Sequence, residues 1–153
     1  FIHSAFFTGS RSAGILAMGW KRATMNGHID FKSLTWFRSG PLQTKTRKRE
    51  PPCRIHDRLL PLLKEWHAAD ARDAVEWLIT YRGERIDRID GSFVECARLA
   101  CLDRREIDGH DRVADQSMGW PTPHIMRHTR ATLMLQAGRS YAEVAEYLGM
   151  SVR

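Results

Sequence analysis

The stretch TPHIMRHTRATLMLQAGRSYAEVAEYLGMS, residues 122–151, decides how this chain is read. Thr122 can cap a helix, and Pro123 suits the first helical position, where a missing N–H costs nothing. The helix is expected to run to about Ala137, with Gly138 taking the left-handed stop. Ser140 and Glu143 have the spacing of a capping box, so a second helix is expected from there to Gly149. On the first helix, His124, Arg127 and His128 sit three and four residues apart and share a face.

Three chemistries compete for that face. A metal pair would use His124 and His128. However, Ile125 stands where a zinc protease carries its glutamate base, no third ligand is near, and Arg127 repels a cation. A helix-turn-helix would use the second helix as its reader. YAEVAEYLG carries two glutamates and no Lys or Arg, which suits neither phosphates nor base edges. The third chemistry is anion handling. Arg127 offers a planar, permanently charged fork, and His124, one turn away, offers an exchangeable proton.

Outward from this stretch the chain reads as mixed structure. Phe1–Phe7 has helical character, and Gly9 breaks it. Residues 12–20 resume helical spacing, with Ile15, Leu16 and Met18 as core. GHIDFKSLTWFRSG, residues 27–40, alternates apolar and polar between glycines and predicts a strand or a tight strand pair. Residues 41–56 are basic and predict a hairpin tip running into a strand that Pro51 and Pro52 confine to an edge. Residues 58–69 predict an amphipathic helix with Leu59, Leu62, Leu63 and Trp66 inward and Pro61 in its first turn. AVEWLITY, residues 74–81, fits a short helix or a strand. Residues 91–103 predict a helix with Phe93, Ala97, Ala100 and Cys101 on one face. Residues 103–121 read mostly as loop. The sum is an α+β fold: a mainly helical domain with one small antiparallel sheet.

Length and composition agree with one globular domain: 153 residues, 42% hydrophobic and 27% charged. The formal charge of +6 favours a polyanionic partner, nucleic acid first. No apolar run approaches the roughly 20 residues of a membrane span. Cys53, Cys96 and Cys101 lack metal-type spacing and read as reduced thiols, which predicts a cytoplasmic protein.

Three segments together resemble the catalytic domain of the tyrosine recombinases, the phage integrase family. TGSRSAGILAMGW (residues 8–20) is similar to the family's first arginine box. TKTRKREPPCRIHDRLLPLLKEW (residues 44–66) is similar to its lysine hairpin with the strand and helix that follow. Residues 122–151 are similar to its second box, usually His-x-x-Arg-His-Thr and ending Leu-Gly-His. The resemblance implies a site-specific recombinase that cuts one strand of double-stranded DNA through a 3′-phosphotyrosine link and rejoins it. It implies no cofactor and no metal, and a homo-tetramer on DNA.

By that resemblance Arg11 and Arg127 clamp the scissile phosphate. Lys45 is the general acid toward the leaving oxygen, with Lys48 as the competing candidate. His124 bonds the phosphate or assists proton transfer, and His128 supports it. Arg47, Lys48 and Arg49 contact DNA. The expected organisation is one catalytic domain over residues 1–153, without the family's amino-terminal DNA-clamping domain and without its nucleophile-bearing tail.

Three departures qualify the match. Gly14 stands where the family often has an acidic residue, so that partner is missing or supplied elsewhere. Met150 stands where a second histidine or tryptophan donates to the phosphate, and a thioether cannot donate. We expect the change to be tolerated by packing. No tyrosine falls where the nucleophile belongs: Tyr141 and Tyr147 are too early, and Tyr81 lies outside any box. The alternatives are a degenerate, non-catalytic DNA-binding relative, a topoisomerase with the same chemistry, and a generic helical interaction domain.

Overall fold

The computed structural model describes residues 1–43, 49–100 and 122–151 in full, and the backbone of 101–108. Along them run α1 (Ile2–Thr8), α2 (Ser12–Leu16), β1 (Asn26–Asp30), β2 (Thr35–Ser39), β3 (Cys53–Arg54), α3 (Leu60–Arg72), β4 (Thr80–Tyr81), β5 (Glu84–Arg85), α4 (Asp90–Asp108), α5 (Ile125–Gln136) and α6 (Tyr141–Leu148). This is the α+β architecture expected, with helices predominating.

Turn chemistry makes the β1–β2 hairpin. The Asp30 carboxylate accepts from Lys32 N at 2.9 Å and Ser33 Oγ at 2.7 Å, folding the chain back on itself. The strands then pair antiparallel with His28 opposite Phe37 and Ile29 opposite Trp36. Among the described residues β3 pairs only with β2, in the order β1-β2-β3, so the strand after Pro51-Pro52 is an edge strand there. AVEWLITY is not a helix: it opens in a turn at Ala74, at positive φ, and ends in β4, which pairs with β5 across Arg82 and Gly83, both at positive φ as a tight hairpin turn requires.

The core lies where α1, α2 and α3 meet the inner face of the sheet. Ile15, Met18, Trp36, Ile55, Leu59 and Leu63 are fully buried there. Pro61 falls in the first turn of α3, where it breaks no helical bond. α5 packs on α1, and α6 packs back on α5.

Three local expectations are corrected. The chain is helical through Asp108, so 103–108 is not loop; Arg and Glu sustain a helix without an apolar face. Ala100 is exposed rather than inward; on that face Phe93 is buried. The cap of α5 is His124, not Thr122, and it makes no side-chain cap bond. Thr122 and Pro123 instead form a tight turn ahead of the helix, with Ile125 N bonded to Thr122 O at 3.0 Å and Met126 N to Pro123 O at 3.3 Å. The downstream end is as expected: Gly138 and Gly149 are left-handed, and Ser140 and Glu143 form a reciprocal capping box.

Candidate anion-binding site

The site is built where the end of α1, the start of α2, the segment before β3 and the two last helices converge. Gly9 stops α1 at φ 63°. That stop turns the chain so that Arg11 leads α2. Arg127 rises from the first turn of α5 and is only 5% exposed. Its Nη1 donates to Gly9 O at 2.8 Å, and its Nη2 donates closely to Leu148 O. One guanidinium thus ties the end of α1 to the end of α6. Burial, with the Arg11 and Arg38 charges beside it, pulls Arg127 down to about 10; Glu50 opposes them.

The Arg11 side chain is about three-quarters buried. Its Nη1 donates to Arg49 O at 3.1 Å and to Glu50 Oε1 at 3.4 Å. Its Nε and Nη2 have no partner among the described residues. Arg49 itself is exposed, and its carbonyl rather than its charge serves the site. The structure therefore brings Arg11 and Arg127 together, across more than a hundred residues of sequence.

Sequence reasoning missed two members. Arg38, on β2, is 4% exposed. It donates to Ser10 Oγ at 3.0 Å, Pro51 O at 2.7 Å, Tyr147 O at 2.6 Å and Thr8 O at 2.6 Å. Its guanidinium also lies 5.0 Å from the centre of the Tyr147 ring. The signal was in the sequence: residues 36 and 38 share one face of a strand, so the face that buries Trp36 buries Arg38. Glu50 is the second. Nothing in the basic run around it marks it as part of the site, because only folding sets it against Arg11.

The Arg11 and Arg38 charges thus lie close enough to Arg127 to act on it, with Glu50 as the opposing carboxylate, paired to Arg11. Burying like charges together is costly unless an anion neutralises them. The arrangement can hold a phosphate or similar oxyanion, with Arg11 supplying unpaired donors.

His124 and His128 are both exposed, with ring centres 4.8 Å apart and planes at 86°. They lie on the helix that carries Arg127, on its open side. Met150 is 48% exposed. Tyr147 is packed under Arg38 and Arg130, and burial pushes its phenol up to about 12. Tyr141 is 77% exposed. Lys45, Arg47 and Lys48 lie outside the described residues, as does the side chain of Cys101. Cys53 and Cys96 are free thiols. Among the described residues no cluster of His, Cys, Asp or Glu could hold a metal ion, and no helix is long and apolar enough to cross a membrane.

No family model matches the chain, and no curated protein matches it. Among solved structures it is similar to the integrase of the Tn1549 transposon, determined in complex with transposon right-end DNA. The TM-score is 0.66 at 16% identity, over 99% of this chain and 50% of that one. The chain spans half the length of the integrase it matches, and over nearly all of its own length it has the fold of that transposon integrase.

Proposed function

We propose that this chain is the catalytic domain of a site-specific DNA recombinase that cleaves and rejoins DNA through a 3′-phosphotyrosine intermediate. The observation that carries the reading is the proximity of Arg11 and Arg127 across the fold, in a fold shared with an integrase solved on DNA. Arg11 binds a non-bridging oxygen of the scissile phosphate. Arg127 supplies buried positive charge behind it, where low dielectric strengthens its pull on a developing phosphorane. His124, on the open side of α5, bonds the phosphate or moves the nucleophile's proton, and His128 supports it. Lys45 protonates the leaving 5′-oxygen. Arg47, Lys48 and Arg49 contact the DNA backbone. No metal or cofactor enters the reaction.

The nucleophile comes from outside residues 1–153. Tyr147 is the wrong group: its phenol is buried, aimed at Phe7 O at 3.4 Å, and held protonated. The DNA-clamping domain and the nucleophile-bearing tail belong to the longer polypeptide. That polypeptide works on double-stranded DNA as a homo-tetramer, in the cytoplasm.

A second reading is a DNA-binding relative that does not cut. Met150 favours it, being exposed and unable to donate at its position. Covalent capture on a nicked duplex separates the two. In the polypeptide that supplies the nucleophile, the recombinase reading expects a protein–DNA adduct on a denaturing gel. It expects that adduct to vanish in Arg127→Ala while duplex affinity is largely kept. Binding without any adduct establishes the second reading.

A further inference from the structure

We propose that Glu50 is the positioning residue that holds Arg11 ready for the phosphate, a role that rests on the anion-binding reading of the site. Glu50 Oε1 accepts from Arg11 Nη1 at 3.4 Å, and the carbonyl of the preceding residue accepts from the same nitrogen at 3.1 Å. Both contacts fall on one end of the guanidinium and leave Nε and Nη2 directed elsewhere. Both side chains are about three-quarters buried, so the pair is partly withdrawn from water. The same carboxylate faces Arg127, which it stabilises in its charged form against burial and the two neighbouring arginines.

The space around Glu50 supports the assignment. Gly14 lies one helical turn after Arg11 on α2. A Cβ added there would sit 4.0 Å from Glu50 Oε1 and 3.8 Å from Arg38 O, in ordinary contact with both. The carboxylate therefore occupies the place that a side chain at position 14 would reach. It arrives there from the segment ahead of β3. That segment is fixed on its other side, because Pro51 O accepts from Arg38 and Gly149 closely approaches Arg49 O. Position 50 is thus held between contacts at residues 49 and 51.

A carboxylate that merely stands near an anion site repels the anion, so neutralising it tightens binding. A carboxylate that orients the binding arginine has the opposite sign, because its loss returns the guanidinium to several rotamers. The experiment is a titration of this chain with inorganic phosphate, read by calorimetry at fixed ionic strength. Glu50→Gln should bind phosphate roughly fivefold more weakly than the unsubstituted chain. Adding Gly14→Glu to Glu50→Gln should recover most of that loss. In an Arg11→Ala background Glu50→Gln should no longer weaken binding, since there is nothing left to orient. Should Glu50→Gln fail to fold, Glu50→Asp retains the charge with a shorter reach, and an intermediate loss is expected.

Equal or tighter phosphate binding by Glu50→Gln overturns the proposal. So does a loss that persists undiminished without Arg11, or an unsubstituted chain that binds no phosphate. The recombinase reading fails separately. An intact phosphate response with no covalent adduct on nicked DNA leaves Glu50 in its role and removes the chemistry.

Discussion

Arg127 and Tyr147 show how a single buried side chain carries both fold and site. Arg127 answers two backbone carbonyls on separate helices, Gly9 O and Leu148 O. Arg127→Lys keeps the charge, but a point-like ammonium cannot span both acceptors as a planar fork does. We predict a loss of about 1–3 kcal/mol in urea unfolding, the cost of leaving a buried acceptor unmet. Tyr147 makes a pH-dependent prediction. Its phenol is held protonated to about 12 in the folded chain. An unfolded tyrosine ionises near 10. Between these values the folded state binds more protons, so stability contributed by Tyr147 is whole below pH 10 and falls as pH rises toward 12. The difference in unfolding free energy between the parent chain and Tyr147→Phe should therefore shrink across that window. Arg127 acts with the opposite sign in the same range, and the paired comparison cancels it. A difference that stays flat from pH 9 to pH 12, roughly the span of the two ionisations, refutes the assignment.

At the scale of elements, α6 is the part whose ends matter most. Its start is closed by Ser140 and Glu143, each satisfying the other's backbone N–H. Ser140→Ala should cost about 1 kcal/mol, measured by thermal or urea unfolding. Its end is Gly149, at φ 67°, with the Arg49 carbonyl and Pro51 closely against it. An alanine there meets both a strained backbone angle and backbone atoms that cannot swing away. Gly149→Ala should cost more than Ser140→Ala. It should also weaken phosphate binding, because the carbonyl it displaces is the one that holds Arg11. Ser140→Ala should leave phosphate binding nearly unchanged. The contrast between the two ends tests whether the end of α6 braces the site or only the helix.

For the whole molecule, the proposed recombinase reading makes the charge of +6 on 153 residues the source of its attraction to DNA. Affinity for duplex DNA should fall steeply with salt, by about 0.9 in log–log slope for each phosphate neutralised. Arg11→Ala should reduce that slope by about one phosphate contact while leaving binding across sequences uniformly weaker. Fluorescence anisotropy with a short duplex at several salt concentrations reads both. A slope unchanged by Arg11→Ala would place that side chain away from the DNA backbone.

The sequence by itself determined the periodic and punctuated parts. Gly9, Gly138 and Gly149 end helices because their positive φ suits a residue without a side chain. Ser140 and Glu143, and the apolar rows of α2 and α3, follow from local geometry alone. Arg11, Arg127 and His124 were legible as candidates because their types and order matched a known arrangement. The tertiary structure decided what lies across the chain. It placed Arg127 near Arg11, buried Arg38 within reach of Arg127, and drew Glu50 into the space beside Gly14. It also left Met150 and Tyr141 exposed. Helix periodicity reports which face of an element is apolar. It carries no information on which distant backbone carbonyl a buried guanidinium will find, because that depends on how α1, β2 and α6 meet.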